Sequence, residues 1–101
     1  MLVFHQTVEF ISWINALKDL QAKAKIVARI RMAGLGNFGD CAPVGESVSE
    51  MRLHFGPGYR LYFTRTGDVY YLLLVGGDKS TQKKDIRRAI EIARNLKEEN
   101  G

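Results

Sequence analysis

The sequence predicts an α+β fold: a short N-terminal strand, a helical hairpin, a three-stranded antiparallel meander and a C-terminal helix packed on one face of the sheet. Three observations carry this expectation. Glu50 to Phe63 reads E-M-R-L-H-F-G-P-G-Y-R-L-Y-F, two alternating runs around Gly56-Pro57-Gly58. Side chains on a strand point to opposite faces with period two, so each run has an apolar and a polar face. Residues 8–17 and 20–33 carry apolar side chains at helical spacing. A last amphipathic stretch, 80–97, follows the strands.

Taken in order, Leu2 to His5 fits a pleated surface and reads as a strand. Thr7 is placed as an N-cap, with Glu9 in the first turn, where a carboxylate suits the positive helix end. Val8, Ile11, Ile14, Ala16 and Leu17 form the stripe of the first helix, widened by Phe10 and Trp13. Asp19 caps a second helix to about Ala33, with Leu20, Ala24, Val27 and Ile30 in register and Ile26 and Ala33 alongside. Lys18, Lys23, Lys25, Arg29 and Arg31 fill its other face, and Gly34 and Gly36 stop it. The default for such a basic face is solvation; binding of nucleic acid or an acidic partner is the functional alternative. Gly34 to Gly45 is expected to be the longest loop. Strands are placed at about Val48–Phe55, Tyr59–Thr66 and Val69–Val75, with a tight turn at Thr66-Gly67-Asp68. The third strand is apolar on both faces, which fits a central strand covered on both sides. Ser80 or Thr81 caps the final helix, whose inner face is Ile86, Ala89, Ile90, Ala93 and Leu96. The helices are expected on one face of the sheet, leaving much of the other exposed.

At this length residues 1–101 read as one domain, with core enough to fold without staples. Cys41 is the single cysteine, which excludes an internal disulfide and fits a reducing compartment. It has no nearby His or second Cys, so no metal site or nucleophilic pair is supported, and no cofactor is expected. The N-terminus lacks a basic stretch followed by a long apolar core, and the longest apolar run, Val69 to Val75, is far short of the roughly 20 residues of a membrane helix. A cytoplasmic protein without a membrane partner is expected. The net charge is +4 and the pI about 9.4, a weak pointer to polyanions. Between Arg52 and Arg94 the basic side chains (52, 60, 65, 79, 83, 84, 87, 88, 94) outnumber the acidic ones (68, 78, 85, 91), which concentrates positive charge in the second half.

Arg29 to Gly39 (R-I-R-M-A-G-L-G-N-F-G), Val48 to Phe63 and Leu73 to Ala89 (L-L-V-G-G-D-K-S-T-Q-K-K-D-I-R-R-A) form a specific combination. In these pieces the chain resembles the RelE/ParE toxin superfamily, and most closely its HigB-like addiction module killer group, also called phage Gp49-like. The resemblance covers nearly the whole chain. It implies a RelE-like fold and the toxin of a type II toxin–antitoxin module, encoded beside a helix-turn-helix antitoxin. Many relatives are mRNA interferases, endoribonucleases that cut mRNA on the ribosome; ParE-type relatives instead poison DNA gyrase. The partners implied are the cognate antitoxin, the ribosome and mRNA.

Metal-free RNA cleavage needs help with deprotonating a ribose 2′-hydroxyl, stabilising the crowded phosphorane and protonating the leaving 5′-oxygen. Arg52 and Arg60, which match the superfamily's sheet arginines by motif position, suit the second task, since guanidinium stays charged and binds phosphate in a bidentate way. His54 suits acid–base work near neutral pH, and Lys79 suits phosphate binding or catalysis. Tyr62 offers a stacking face or a proton donor, and Lys83, Lys84 and Arg87 are candidate RNA contacts. Each has a plainer reading: Arg52 pairs with Glu50 or Asp78, His54 is a solvated or hydrogen-bonded surface residue, Tyr62 is a half-buried sheet tyrosine, and Lys79 helps end a strand. Several RelE-like nucleases use a tyrosine or histidines near the C-terminus. Here the last aromatic is Tyr71 and no histidine follows His54.

Overall fold

The structure, a computed structural model, describes residues 1–100. The chain runs β1 (Val3–Gln6), α1 (Val8–Ala16), α2 (Leu20–Gly34), β2 (Cys41–Gly45), β3 (Val48–Leu53), β4 (Tyr59–Arg65), β5 (Tyr70–Asp78), a 3₁₀ turn at Lys79–Thr81, and α3 (Gln82–Asn100). One sheet holds all five strands in the order β1-β5-β4-β3-β2. β1 lies parallel to β5, and the other neighbours are antiparallel. The fold is α+β, with the predicted meander at its centre. Among the described residues no helix is long and apolar enough to cross a membrane.

Thr7 caps α1 as expected: its Oγ1 accepts from the Phe10 N–H at 3.0 Å and donates to the Leu74 carbonyl at 2.6 Å. One hydroxyl thus starts the helix and ties it to β5. Asp19 caps α2 by accepting from the N–H groups of Gln21 and Ala22. The inner faces sit differently from the expected stripes. Phe10 is buried on α1, with Trp13, Ile14 and Leu17 packed beside it; on α2 the buried residues are Ala22, Ile26 and Ala33. Val8, Leu20 and Val27 point outward.

The expected loop from Gly34 to Gly45 contains a strand. β2 pairs with β3 through a two-residue turn in which Glu46 and Ser47 both take positive φ, 45° and 70°. Neither residue is a usual choice for that conformation, so the turn carries no Asn-Gly or Asp-Gly signal. Pro43 also reads as a strand breaker. It is tolerated because β2 lies at the edge of the sheet, where a missing N–H breaks no inner ladder.

Helices cover both faces of the sheet, not one. On β4 the alternate residues Tyr59, Leu61 and Phe63 join the core beneath α1 and α2. Tyr62, between them, joins Val48, Leu74 and Val75 beneath Ala89 and Ala93 of α3. A bulge assists: Tyr62 pairs with Val75 and Phe63 with Leu73, leaving Leu74 as an extra residue in β5. Leu74 and Val75 therefore both serve the α3 side. The amphipathic α3 has an apolar sheet face to bury against, which overrides the expectation that this face stays open.

Gly76 and Gly77 end the apolar run of β5 between the two helical layers. A Cβ on Gly76 would overlap the Trp13 ring, and one on Gly77 would overlap the Asp85 carboxylate. Asp78 follows and caps the 3₁₀ turn that leads into α3; Ser80 and Thr81, expected as caps of the final helix, lie inside that turn, where Ser80 donates to the Asp78 side chain and Thr81 closes the capping box. Gly77→Ala should destabilise the protein by about 1–3 kcal/mol through overpacking, lowering the thermal midpoint by roughly 5–20 °C. An unchanged midpoint in thermal denaturation would show that α3 does not press on β5 at this glycine.

Candidate functional site

β3 and β4 pair so that Arg52 faces Arg60 and Glu50 faces Tyr62. Arg52, Arg60 and Tyr62 therefore share the face of the hairpin that meets α3, while His54 lies past the end of β3 and lines a groove against α2. The polar run of the hairpin is not left open to solvent. Glu50 and Arg60 are buried, at 4% and 5% exposure, and Tyr62 is fully covered by α3. No base can stack on Tyr62 here. Burial, with the carboxylates of Glu50 and Asp85 nearby, holds its phenol far above the usual range, so Tyr62 is no proton donor near neutrality.

The charged groups form a chain across one end of the sheet. Arg60 Nε lies 3.9 Å from Glu50, and Arg52 Nε donates to Glu50 at 3.1 Å. Gln82, at the start of α3, donates to the same carboxylate at 3.1 Å. Arg52 pairs with Glu50 as its plainer reading had it, with Asp40 rather than Asp78 as second partner, at 3.8 Å. Asp40 then meets His54, whose Nε2 lies 2.5 Å from Asp40 Oδ2. Cations and carboxylates alternate along Arg60, Glu50, Arg52 and Asp40, and the chain ends on the exposed His54. The hydrogen bond from His54 holds the Asp40 carboxyl below its ordinary value, with Arg52 and Arg29 adding to the effect. A carboxylate at that position fixes a proton on Nε2 and leaves Nδ1 open to a substrate.

Asp40 lies outside the residues that the sequence singles out, and the side chain that fixes it, Arg29, is read there only as part of the basic face of the second helix. Arg29 of α2 donates to three backbone carbonyls: Phe38 at 3.0 Å, Arg52 at 2.7 Å and Asp40 at 2.8 Å. It thereby straps the loop before β2 to the end of β3, which brings Asp40 to His54. Gly39 lies against this strap with φ of 66°, and a Cβ there would come within 2.8 Å of the guanidinium. Both Arg29 and Gly39 stand in the stretch R-I-R-M-A-G-L-G-N-F-G. Periodicity assigns Arg29 to the solvated basic face, so only its motif setting hints at the strap.

Lys79 stands at the same end of the sheet. Its aliphatic stem crosses the Gly56-Pro57-Gly58 turn, 3.0–3.2 Å from where a Cβ on Gly58 would lie. It forms no ion pair among the described residues. The three basic residues of α3 are not one cluster. Lys84 lines a polar cavity of about 310 Å³ with Glu9, Asp85 and Arg88. Lys83 and Arg87 fall by helical spacing on the flank of Arg94, which binds Glu46 in the β2–β3 turn. All three are exposed. Among the described residues no group of three His, Cys, Asp or Glu side chains is placed to hold a metal ion.

The fold and this site define a small α+β protein with an exposed histidine–carboxylate pair beside braced arginines. No protein-family model matches the chain. A Haemophilus influenzae protein described as uncharacterized is 49% identical to it over 90 residues, which is 89% of this chain and 91% of that protein. The chain belongs to one family with that Haemophilus influenzae protein.

Removing Arg60 strips a buried carboxylate of one of its cations. Arg60→Ala should cost about 3 kcal/mol in urea denaturation, while Lys79→Ala, at an exposed site, should stay within about 0.5 kcal/mol of the parent. Equal stability of the two variants would contradict the buried Arg60–Glu50 pair. Acid lability follows from Glu9, Asp40 and Glu46, whose carboxyls are held below their ordinary values by hydrogen bonds from Arg88, His54 and Arg94 respectively. A depressed folded value gives stability that is present above the ordinary values of 4.5, 3.8 and 4.5 and lost as pH falls through the folded ones. Urea midpoints should therefore drop below about pH 4.5, and less steeply in Glu46→Gln. Solvent screening keeps the effect small.

Proposed function

We propose that the protein is the toxin of a type II toxin–antitoxin module, a HigB-like member of the RelE/ParE superfamily that cuts mRNA on the ribosome in the cytoplasm. The observation that carries the reading is the pairing of exposed His54 with Asp40, beside Arg52, at the end of the sheet where Lys79 also stands. His54 Nδ1 takes the proton of a ribose 2′-hydroxyl, and the freed oxygen attacks the adjacent phosphorus. Arg52 and Lys79 stabilise the charge that builds on the phosphorane. The bond to the 5′-oxygen breaks, leaving a 2′,3′-cyclic phosphate, and Lys79 is the candidate acid for the departing oxygen. Arg60 acts one step removed, by holding Glu50 and through it Arg52.

The partner in this reading is a helix-turn-helix antitoxin, taken from the resemblance in motif. A second reading, inhibition of a protein target such as DNA gyrase without cutting, draws on the outward apolar residues Val8, Ile11, Leu20 and Val27 of α1 and α2. Removal of a positioned acid–base group costs roughly 10²–10⁴-fold in rate. Induced His54→Gln should therefore lose growth arrest while keeping the parent's thermal midpoint. Mapping mRNA 5′ ends after induction of the parent should show new cuts within translated messages. DNA damage without such cuts would favour the second reading, and a folded His54→Gln protein that still arrests growth would remove His54 from the mechanism.

A further inference from the structure

Beside His54 a groove of about 430 Å³ runs between α2 and the end of β3, lined by Lys25, Ala28, Met32, Leu53, His54 and Phe55. Ala28, Met32 and Leu53 make an apolar floor. Phe55, half-buried after β3, makes an aromatic wall, and the ammonium of Lys25 stands 4.4 Å from its ring centroid. No carboxylate lines the groove among the described residues. Arg29, which also lines it, bonds only to backbone carbonyls. Lys25 and Arg29 therefore give the groove two cations and no carboxylate in its lining, with His54, bound to Asp40, at its edge.

We infer that this groove holds the nucleobase of the RNA nucleotide flanking the scissile phosphate, and so sets the cut-site preference; the inference rests on the mRNA-cutting reading above. A base has a flat apolar face for Phe55 and Met32, and its phosphate is an anion for Lys25. Lys25 gives up its place over the Phe55 ring to the base and turns its ammonium to the backbone. Single-stranded RNA is bound in this way elsewhere, by stacking on aromatics along a basic groove. An acidic peptide would use Lys25 but gains nothing from lying next to His54.

The purified chain is titrated with the pentanucleotide oligo(A), and separately with inorganic phosphate, while the Met32 methyl and Phe55 ring resonances are followed by NMR. Oligo(A) should shift both, and phosphate alone should shift neither. Ala28→Trp fills the groove from an exposed helix position and should weaken oligo(A) binding about tenfold or more with the thermal midpoint kept. In cells the same variant should cut less and with altered base preference. Met32 and Phe55 unmoved by oligo(A), or an Ala28→Trp protein with the parent's cut spectrum, would overturn the inference while leaving the nuclease reading intact. An Ala28→Trp protein that cuts normally but escapes its antitoxin would also overturn it, marking a protein-docking site. Oligo(A) binding in the groove without any new mRNA ends would support the groove as an RNA site and count against the nuclease reading instead.

Discussion

The constraint on which the structure depends is the thickness of the protein at Gly76 and Gly77. Two helical layers grip β5 from opposite sides at adjacent residues, Trp13 of α1 on one side and Asp85 of α3 on the other. Neither glycine needs a left-handed backbone; each is there because nothing larger fits. This close approach sets where α3 crosses the sheet. It decides which of the polar residues on β3 and β4 are sealed and which remain at the rim. Tyr62 and Arg60 fall inside, and Arg52 and His54 fall at the edge.

Burial gives the two sheet arginines different tasks. Arg60 and Glu50 are almost out of solvent, and desolvation makes such a pair a weak source of net stability but a strong fixer of geometry once formed. Arg60 Nε and the Tyr62 hydroxyl find no hydrogen-bond partner among the described residues, which is uncommon for buried donors. The pair makes sense as an anchor for Arg52, which hangs from Glu50 toward Asp40. On the far side Arg29 anchors Asp40 through the backbone. The exposed His54–Asp40 contact is thus held through Asp40 from two directions, by Arg52 at its carboxylate and by Arg29 at its backbone carbonyl.

Much of the fold was legible in the sequence because the strongest signals are local. Alternation around Gly56-Pro57-Gly58 gave β3 and β4, and Thr7 and Asp19 act as the caps they resemble. β2 was illegible, since Pro43 and a left-handed Glu46-Ser47 turn both imitate a loop. The covering of both sheet faces departs from the single helical layer expected, although its signal lies in the sequence: a third strand apolar on both faces cannot be covered from one side only. The site was half legible. Arg52 and His54 carry their chemistry in their residue types, and alternation put them on an outward run. Asp40 comes from a glycine-rich loop with no period, and its approach to His54 depends on a guanidinium 11 residues away in sequence. Only the folded chain brings those groups together.

The same Pro43 that hid a strand also has a consequence for the protein in a crowded solution. A five-stranded sheet with unprotected borders would invite other chains to extend it. Here the outermost strand on one side contains a residue without an N–H, and the strand on the other side is four residues long. Both borders make poor templates for further pairing, so the sheet resists edge-to-edge aggregation even when the chain circulates alone.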